Sequence, residues 1–513
     1  MKKIDPKDLP RDLDQCHALI AELVQDLDHK ERKLRRVQHQ LEKLLRWRYG
    51  PKRERVDPNQ LFLFGAAMVE SNQDIVAEPP EPASDEPKPI RRKGHGRRRL
   101  PADVERRREE YDLPEDQKVC PHCEAALKLL GEEKSEQWEY VPASLLVIEQ
   151  VCKKYACPKG CTVVTAPKPM QPIEKGLAGP GLLAHVTVSK YADHQPLFRQ
   201  EEMFKRQGVN LSRKTMCDWM RRGAELLMPL FVAMRQRVLM SKALQTDDTP
   251  VAVLDPELPR TRTGRIWTYV GDKNHPFTVY DYTPNRSRDG PDEFLKEFSG
   301  HLQADAYSGY DQIYTDPDRD VTEVACWAHT RRKFFEAQSS DLMRSMVMMA
   351  FIRLLYDVER EARDRELDSA GRLALRQEKS VPILDDIEEY LRREQTCVLP
   401  KEPIAEAIGY ALNNWTALRR YAEDGDLEID NNGAERSLRG VAVGRKNWMF
   451  FGSDRGGQTA AVLTSFIASC KRLHIDPFLY LRDVIARISA HPANRIEELL
   501  PDAWKAAREP AGS

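Results

Sequence analysis

A proline-rich stretch over residues 71–100 limits how this chain can fold, because it separates the N-terminal part from everything after it. The stretch is acidic in its first half and basic in its second, and its prolines are Pro79, Pro80, Pro82, Pro87 and Pro89. Proline lacks a backbone N–H and fixes φ, so a segment this rich in proline forms no packed element. We therefore expect a linker over 51–110 between separately folded parts of the 513-residue chain.

Composition places the chain among globular proteins outside the membrane. Hydrophobic residues make up 41% and charged residues 31%, which is enough apolar material for packed cores and excludes wholesale disorder. The longest mostly apolar stretch without a charge is 456–470, and a bilayer span needs about 20 such residues. The N-terminus has no apolar signal core, so we expect a cytoplasmic protein without a membrane partner.

Residues 1–50 carry apolar side chains at heptad spacing. One series recurs every seven residues and a second lies three positions after it: Leu13, Ile20, Leu27, Leu34 and Leu41, then Leu23, Val37 and Leu44. This spacing, with charges between, predicts a coiled coil that joins copies of the chain. The alternative is one amphipathic helix packed on its own domain, which the strict period disfavours.

Two cysteine pairs predict a zinc-binding module over 111–170. Cys120 and Cys123 form a C-x2-C pair, and Cys157 and Cys161 form a C-x3-C pair. Two such turns can direct four thiolates at one tetrahedral Zn²⁺, which would be structural because no coordination position stays open. Strand character between the pairs favours a small zinc ribbon. The alternative is four unrelated thiols.

Residues 171–240 predict helices with a helix-turn-helix pattern. An amphipathic stretch ends at Gly208, and Ser212 is a predicted N-cap for a basic helix over 213–222. This pattern fits a DNA-binding helix pair. The alternative is core packing by the apolar residues of the pair, which are Phe204, Met216 and Trp219.

After residue 241 the sequence changes to short runs of strand-forming residues, which predicts a mixed α/β domain. The order β-β-β-α-β-α-β is expected over 241–339, and the domain resumes over 427–480. Long helical patterns over 340–426 predict a helical insertion within it. A helical tail is expected over 481–513.

Three acidic residues in this α/β region form a candidate metal site. Asp247 lies early in the first strand, Asp305 at the end of the fourth, and Glu435 at the start of a helix. Three carboxylates that converge repel one another unless a divalent cation lies between them, and Mg²⁺ prefers carboxylate and phosphate oxygens. Neighbours in a strand face opposite sides, so only one of Asp247 and Asp248 can join the site, and spacing leaves that choice open.

Several motifs resemble those of the DDE transposases of bacterial insertion sequences, in particular the IS66 group. They are Thr246-Asp-Asp-Thr-Pro250, Gln303-Ala-Asp-Ala-Tyr-Ser-Gly-Tyr310, Cys326-Trp-Ala-His-Thr-Arg-Arg-Lys-Phe334, Asp430-Asn-Asn-Gly-Ala-Glu-Arg-Ser-Leu-Arg439 and Gly444-Arg-Lys-Asn-Trp448, together with residues 190–199. The resemblance implies a ribonuclease-H-like catalytic domain with Asp247, Asp305 and Glu435 as its triad. It also implies Mg²⁺ (or Mn²⁺) as cofactor, DNA as substrate and small accessory proteins as partners.

Basic residues accompany the acidic motifs and are candidate DNA contacts. They are His329, Arg332, Arg436, Arg439, Arg445 and Lys446. Cations beside an acidic metal site fit a polyphosphate substrate, although some could serve only to neutralise the carboxylates. The predicted function is metal-dependent cleavage of the 3′ ends of an element and their transfer to target DNA. The alternative is a non-catalytic, zinc-containing regulator that binds DNA.

The predicted coiled coil can be tested with Leu27→Lys combined with Leu34→Lys. Two charges in the apolar seam should reduce oligomerisation, because burying an unpaired ammonium group costs more than the seam gains. Analytical ultracentrifugation of the full chain measures the change. An unchanged sedimentation mass would remove the coiled-coil prediction.

Overall fold

The computed structural model describes residues 170–508 apart from position 175, two short strands at 154–156 and 163–165, and the single positions 145, 147 and 148. The predicted coiled coil over 1–50 and linker over 51–110 lie outside the described residues. So do the predicted zinc ligands Cys120, Cys123, Cys157 and Cys161. These features stay predictions.

Two strands form a hairpin within the predicted zinc module. β1 (Lys154–Ala156) and β2 (Val163–Thr165) pair in antiparallel register. These two strands belong to one unit of the chain, and residues 170–508 belong to another. In the sequence, Cys157 and Cys161 fall between the two strands.

Three helices precede the main sheet. They are α1 (Pro180–Tyr191), α2 (Leu197–Arg206) and α3 (Arg213–Leu239). The hydroxyl of Ser212 caps α3 by accepting a hydrogen bond from the backbone N–H of Thr215, as predicted. Phe204, Met216 and Trp219 are all buried in the main core. The helix pair therefore packs as the core-packing alternative expects, and α3 continues well beyond its predicted end at residue 222.

A six-stranded sheet forms the centre of the larger unit. Its strands are β3 (Ala243–Val253), β4 (Arg262–Val270), β5 (Thr278–Thr283), β6 (Gly300–Gln303), β7 (Val321–Val324) and β8 (Phe450–Phe451). The order is β5-β4-β3-β6-β7, and β8 pairs with the far end of β3. β3, β4 and β5 are antiparallel, whereas β6 and β7 run parallel to β3. Short helices α4 (Asp289–Phe294) and α5 (Asp311–Thr315) separate β5, β6 and β7, which confirms the predicted mixed α/β order.

A series of helices follows β7. It comprises α6 (Trp327–Ala337), α7 (Leu342–Asp364), α8 (Ser369–Leu375), α9 (Val381–Gln395), α10 (Pro403–Asn413) and α11 (Trp415–Arg419). A π-helical turn over Arg376–Ser380 joins α8 to α9, and a 3₁₀ turn over Arg420–Ala422 follows α11. These helices build a second core around Trp327, Ile352 and Ile408.

The C-terminal helices pack back onto the sheet. They are α12 (Asn432–Trp448), α13 (Asp454–Arg472), α14 (Pro477–Arg487) and α15 (Pro501–Ala506), with 3₁₀ turns at Ser308–Tyr310, Ile488–Ala490 and Ala493–Leu499 completing the described elements. No helix in the described part of the chain combines the length and the hydropathy that crossing a bilayer requires.

Helix α13 covers the open edge of the sheet at β5. The hydroxyl of Ser465 accepts a hydrogen bond from the backbone N–H of Tyr280 at 2.8 Å. The hydroxyl of Ser469 accepts from the N–H of Thr278 at 3.0 Å and donates to its carbonyl oxygen at 3.1 Å. Two serines one helical turn apart thus satisfy polar groups that an edge strand would otherwise leave free.

A buried ion pair ties the helical series to the segment that leads to α12. The side chain of Arg376 is 1% exposed and that of Glu359 is 5% exposed, and two guanidinium nitrogens bind the two carboxylate oxygens at 2.7 and 2.8 Å. The same guanidinium group donates to the carbonyl oxygens of Tyr421, Asp424 and Leu427. Every donor direction of the guanidinium group is therefore used in fixing the segment before α12.

Replacing Arg376 with methionine should destabilise the protein by about 3–5 kcal/mol, because it removes the donor to the carbonyl oxygens of Tyr421 and Asp424 and leaves the buried Glu359 carboxylate with only the longer contact to Arg372, at 3.4 Å. Thermal and urea denaturation measure the loss. Arg365→Met is the matched control, because its pair with Glu361 is exposed and should be worth less than about 1 kcal/mol. Equal effects of the two substitutions would contradict this account of the pair.

Candidate active site

Two of the predicted carboxylates follow the paired parts of two neighbouring strands, β3 and β6. These parallel strands pair Gln245 with Gln303 as the last pair of their register. Asp247 lies two residues after Gln245 on the same face of β3, whereas Asp305 lies two residues beyond the end of β6. The Oδ2 atom of Asp305 is 4.0 Å from a guanidinium nitrogen of Arg286, and the charge of Asp305 adds to burial in raising the pKa of Asp247.

The face that carries Asp247 is the one that α12 covers. Val251 and Val253 pack with Leu438 of α12 in a small core, and they share the parity of Asp247 along β3. Leu244, of the opposite parity, belongs to the main core on the other side of the sheet. The alternation of β3 therefore directs Asp247 toward the helix that carries Glu435.

The neighbouring Asp248 is enclosed on the opposite face. Its side chain is 3% exposed, and its carboxylate is bound by guanidinium nitrogens of Arg265 and Arg286, each at 2.8 Å. Arg286 also lies over the ring of Tyr307, 4.0 Å from its centroid. Asp248 is thus charge-compensated and withdrawn from solvent, which distinguishes it from Asp247.

Glu435 lies in the first turn of α12, whose start is bound to the sheet by Asn431. The fully buried amide of Asn431 donates to the carbonyl oxygen of Thr246 at 2.7 Å, next to Asp247 in the chain. The backbone N–H of Asn431 donates to the thiol sulfur of Cys326 at 3.2 Å. Asn431 is the N-cap residue of α12, but its side chain binds the strand and makes no capping hydrogen bond to the helix.

A pair of side-chain amides fixes the chain just before α12. The amide nitrogen of Gln245 donates to the side-chain oxygen of Gln303 at 2.9 Å and to the backbone oxygen of Asp430 at 3.1 Å. Gln303 in turn donates to the backbone oxygen of Glu428 at 2.8 Å. A Cβ at Gly433 would lie 2.1 Å from the side-chain oxygen of Gln245, so only glycine permits this approach.

Interactions along α12 set its rotation on the sheet. The hydroxyls of Ser437 and Thr268 are 2.8 Å apart, and the hydroxyl of Tyr280 donates to the carbonyl oxygen of Ser437. One turn from the end, Arg445 donates to the hydroxyl of Thr249 at 2.8 Å. With the helix held at both ends, the Glu435 side chain, 41% exposed, lies on the flank near the two aspartates.

His329 lies beside Glu435, with its Nε2 atom 3.6 Å from the Oε1 atom of the carboxylate. Its Nδ1 atom is buried and has no hydrogen-bond partner among the described residues. Cys326, which precedes α6, completes a group of three in which the candidate ligand atoms lie within 4.8 Å of one another. Among the described residues, no other set of three His, Cys, Asp or Glu side chains brings its ligand atoms this close to one another.

The carboxylates influence one another electrostatically. The pKa of Asp247 is raised from 3.8 to about 7, chiefly by burial and also by the charges of Asp305 and Glu435, while a hydrogen bond from the backbone N–H of Asp248 opposes the rise. Burial also raises the pKa of Asp305, against the charges of His329 and Arg286. A site of this kind gains from added positive charge.

The donor set fits a divalent cation. Asp247, Asp305 and Glu435 supply only carboxylate oxygens, which suit Mg²⁺ or Mn²⁺. A site for two ions about 3.5–4 Å apart spreads its ligands over a wider space than a site for one ion does. The three carboxylates can therefore serve such a site without being in contact with one another. Cys326 and His329 add softer sulfur and nitrogen donors beside Glu435.

The predicted DNA contacts on α12 differ in their surroundings. Arg436, Arg439 and Lys446 are exposed, as a contact to a phosphate backbone requires. Arg445 is partly buried and binds Thr249, so its main interaction is with the sheet. Of these four cations, three are available to an external anion.

The two predicted contacts on α6 also differ. Arg332 is 74% exposed and pairs with Glu336 one turn along the helix at 3.4 Å. The side chain of His329 is 25% exposed and lies among the carboxylates, not on an open basic surface. His329 thus belongs to the candidate active site itself.

Profiles of known protein families match most of the chain. The profile described as "Transposase IS66 family" matches residues 175–459, which is more than half of the chain. The chain belongs to the IS66 transposase family. Further matches are the "IS66 C-terminal element" over 465–501, the "zinc-finger binding domain of transposase IS66" over 117–160 and the "Transposase C of IS166 homeodomain" over 36–108. The resemblance drawn from the motifs is thereby confirmed.

Relatives from Sinorhizobium fredii (strain NBRC 101917 / NGR234) align over nearly the whole chain. Uncharacterized protein y4hP is 34% identical over 494 residues, covering 91% of this chain and 88% of its own length. Uncharacterized protein y4qI is 35% identical over 483 residues, covering 90% and 87%. Family membership supports a transposase role, a zinc-finger region and DNA binding for this IS66 protein.

The carboxyl group of Asp247 makes the metal-free fold sensitive to pH. Since its folded pKa is about 7 and its ordinary value is 3.8, the folded state binds the proton more tightly, so this group costs stability progressively as the pH rises through that interval. Asp247→Asn removes the cost. In EDTA at pH 8 the variant should be more stable than the wild type by on the order of 2 kcal/mol, with the difference shrinking toward pH 4.

Thermal denaturation at several pH values measures this difference. Asp311→Asn, at an exposed position in α5, is the matched control and should show no such pH-dependent gain. A variant at Asp247 that is less stable than the wild type at pH 8 in EDTA would contradict the account of the charged site.

Proposed function

We propose that this protein cuts the 3′ ends of an insertion sequence and joins them to target DNA, using Asp247, Asp305 and Glu435 to hold a divalent metal. The observation that carries the proposal is that Asp247, Asp305 and Glu435 are far apart in the sequence, yet Asp305 and Glu435 lie close enough to Asp247 for their charges to add to burial in raising its pKa. A carboxylate site with unbalanced negative charge is suited to a divalent cation and a phosphate.

The strand order supports a ribonuclease-H-like fold for this domain. Three antiparallel strands are followed by two that run parallel to the first, in the order β5-β4-β3-β6-β7. Two aspartates on the parallel pair and a glutamate on a following helix agree with the DDE arrangement implied by the family resemblance. The helices between β7 and α12 then correspond to an insertion over 340–426 between 241–339 and 427–480.

The chemistry consists of two phosphodiester exchanges at the same carboxylates. In the first, water attacks the phosphorus atom at the element end, one P–O bond breaks, and a 3′-OH leaves. In the second, that 3′-OH attacks a phosphodiester of the target, so that one P–O bond forms as another breaks. Bound Mg²⁺ or Mn²⁺ would supply the activation of the attacking oxygen and the stabilisation of charge on the leaving oxygen.

The residues of the chain contribute position and charge to these steps. Asp247 and Asp305 are fixed by the backbone of adjacent strands, whereas Glu435 approaches from a helix and stays partly exposed to the substrate. His329 and Arg332 from α6 contact the DNA near the reacting phosphate. Arg436, Arg439 and Lys446 bind the phosphate backbone along α12, and Arg445 chiefly holds that helix in place.

The parts outside the described residues complete the proposal. The coiled coil over 1–50 pairs two copies so that two element ends can be held together. In the module over 111–170, Cys120, Cys123, Cys157 and Cys161 bind a structural Zn²⁺, which the zinc-finger match over 117–160 supports. The helical region over 171–240 adds DNA contacts, the tail over 481–513 packs beside it, and accessory proteins of the same element join the assembly.

Asp305→Asn tests the proposal directly. The variant keeps the shape of the side chain but loses its charge, so cleavage and joining of labelled element-end DNA with Mg²⁺ should fall at least about a hundredfold. Gel analysis of cleaved and joined products measures the loss. The thermal stability of the variant, recorded in parallel, separates a loss of catalysis from a loss of folding.

Asp311→Asn is the control, because it makes the same substitution at an exposed position six residues away. It should cleave and join DNA as the wild type does. If Asp305→Asn retains wild-type activity, the assignment of the triad is wrong. If the wild type itself neither cleaves nor joins element ends, the protein acts only as a binding protein.

A further inference from the structure

A large cavity lies on the flank of α12 opposite to Glu435. Its volume is about 1090 Å³, the size class that holds a drug-sized ligand. Its floor is the sheet at β3, β4 and β5, and α12 and α13 form two of its sides. The end of α1 and the turn after it, which belong to the motif over 190–199, lie at a third side.

Positive charge dominates the lining of this cavity. Eight lysines and arginines line it against five aspartates and glutamates: Lys190, Lys242, Lys273, Arg372, Arg436, Arg439, Lys471 and Arg472 against Asp272, Asp368, Asp426, Glu428 and Asp430. The excess of cations indicates that the cavity accepts an anion.

The carboxylates of the lining are already engaged. Asp426 binds Lys242 and Lys273, and Glu428 binds Arg372. Asp272 accepts hydrogen bonds from three backbone N–H groups, Asp368 caps α8, and Asp430 accepts from Tyr356. These acids therefore do not neutralise the remaining cations of the cavity.

Four of the other cations have no carboxylate partner in the described part of the chain. Arg472 donates only to backbone carbonyl oxygens, including that of Gly271 at 2.6 Å, and Lys471 reaches the carbonyl oxygen of Ala192 at 3.4 Å. Arg436 and Arg439 are exposed at the cavity mouth. Phosphate groups are the anions that such a set of lysine and arginine side chains binds best.

Aromatic rings and apolar side chains lie between these cations. Tyr191 lines the cavity on one side, and Trp448, stacked on Phe451 with ring centroids 4.5 Å apart, lines it on another. Ile266 and Val441 contribute apolar surface. Cations interleaved with aromatic rings are typical of sites that bind unpaired nucleotides, in which each base stacks on a ring and each phosphate meets a cation.

Glycines shape the side of the cavity formed by α12. A Cβ at Gly444 would lie 2.8 Å from the indole nitrogen of Trp448 and 3.3 Å from Nδ1 of His194, so glycine allows both rings to approach the helix. Gly440, one turn earlier, has only a ring carbon of His194 at 4.0 Å. A side chain added at Gly440 would therefore enter free space at the cavity.

The cavity adjoins the carboxylate site through shared elements. Gln245 and Gln303 line it, and they stand two residues before the proposed triad members Asp247 and Asp305 respectively. Arg436 lines it too and directly follows Glu435 in α12. A DNA strand bound at the carboxylates thus has a basic and aromatic cavity within reach on the other flank of the same helix.

We propose that this cavity binds an unpaired segment of DNA strand, with its phosphates on Lys190, Lys471 and Arg436 and its bases against Tyr191 and Trp448. The inference rests on the proposed function for the identity of the strand, which would be one frayed from an element end or its flank. Duplex DNA does not fit, because its bases are stacked internally and cannot reach the rings.

The test uses the full-length protein in EDTA, so that no cleavage occurs. A single-stranded oligothymidylate of about 12 nucleotides that contains 5-iododeoxyuridine is bound, irradiated and located by peptide mass spectrometry. Cross-links to Tyr191 or Trp448 are the expected result. Cross-links found only elsewhere in the chain would overturn the proposal.

Two variants probe the cavity in different ways. Gly440→Leu fills space in the cavity, at a helical position where the backbone accepts a side chain. Lys190→Gln combined with Lys471→Gln removes two positive charges from the lining. Each of these variants should reduce the cross-link yield at Tyr191 and Trp448 about tenfold. Gly409→Leu, also within a helix and unobstructed, and Lys296→Gln, at an exposed position, are the matched controls and should leave it unchanged. Equal yields in all four variants and the wild type would count against the cavity.

Competitors identify the source of the nucleotide. Unlabelled single-stranded DNA should compete, whereas thymidine monophosphate at equal nucleotide concentration and blunt duplex should compete at least about tenfold more weakly. Stronger competition by either of these two overturns the assignment to an unpaired strand. If the cross-link is absent from the cavity but the protein still cleaves element ends, only this inference is refuted. If the cross-link forms but the protein does not cleave element ends, only the proposed function is refuted.

Discussion

The attachment of α12 to the sheet is the interaction on which the candidate site depends. Gln245 and Gln303 join the two parallel strands to the chain before α12, and Asn431 binds the backbone beside Asp247. These amides are buried or partly buried, so losing one partner would leave the other unsatisfied, at about 1–3 kcal/mol for each group. The same hydrogen bonds that stabilise the fold therefore determine where Glu435 lies relative to the aspartates.

The candidate site combines well-paired surroundings with an electrostatically unfavourable group, the Asp247 carboxylate, at its centre. The neighbouring Asp248 is fully compensated by two arginines, whereas Asp247 keeps a raised pKa because of burial and nearby carboxylates. Such a concentration of like charge is tolerated only where the surrounding structure holds it in place. The buried pair of Arg376 with Glu359 and the amide network supply that rigidity on the side from which α12 begins.

Much of the mixed α/β fold could be predicted from the sequence, because the alternation of residues that marks a strand is a local feature. The candidate triad could be proposed because its acids occur within recognisable motifs, and it stays a prediction. The choice between Asp247 and Asp248 could not be predicted, since it depends on which face of β3 the later helix α12 covers. The sequence predicts that Arg445 contacts DNA, but in the structure it binds Thr249. That partner lies almost two hundred residues earlier in the chain, so no local pattern reveals it. His329 was assigned to DNA for its charge, and only its three-dimensional neighbours reveal its place beside Glu435.

The serine-lined contact between α13 and β5 has a consequence for how copies of this protein can assemble. With the outward N–H groups of Thr278 and Tyr280 already bonded to hydroxyls, that border of the sheet offers no template onto which a strand from a second molecule could add. Continuous intermolecular sheets through β5 are thereby disfavoured. A multimer of this protein must therefore form through side-chain surfaces, through segments apart from this border, or at the opposite border of the sheet, at β7.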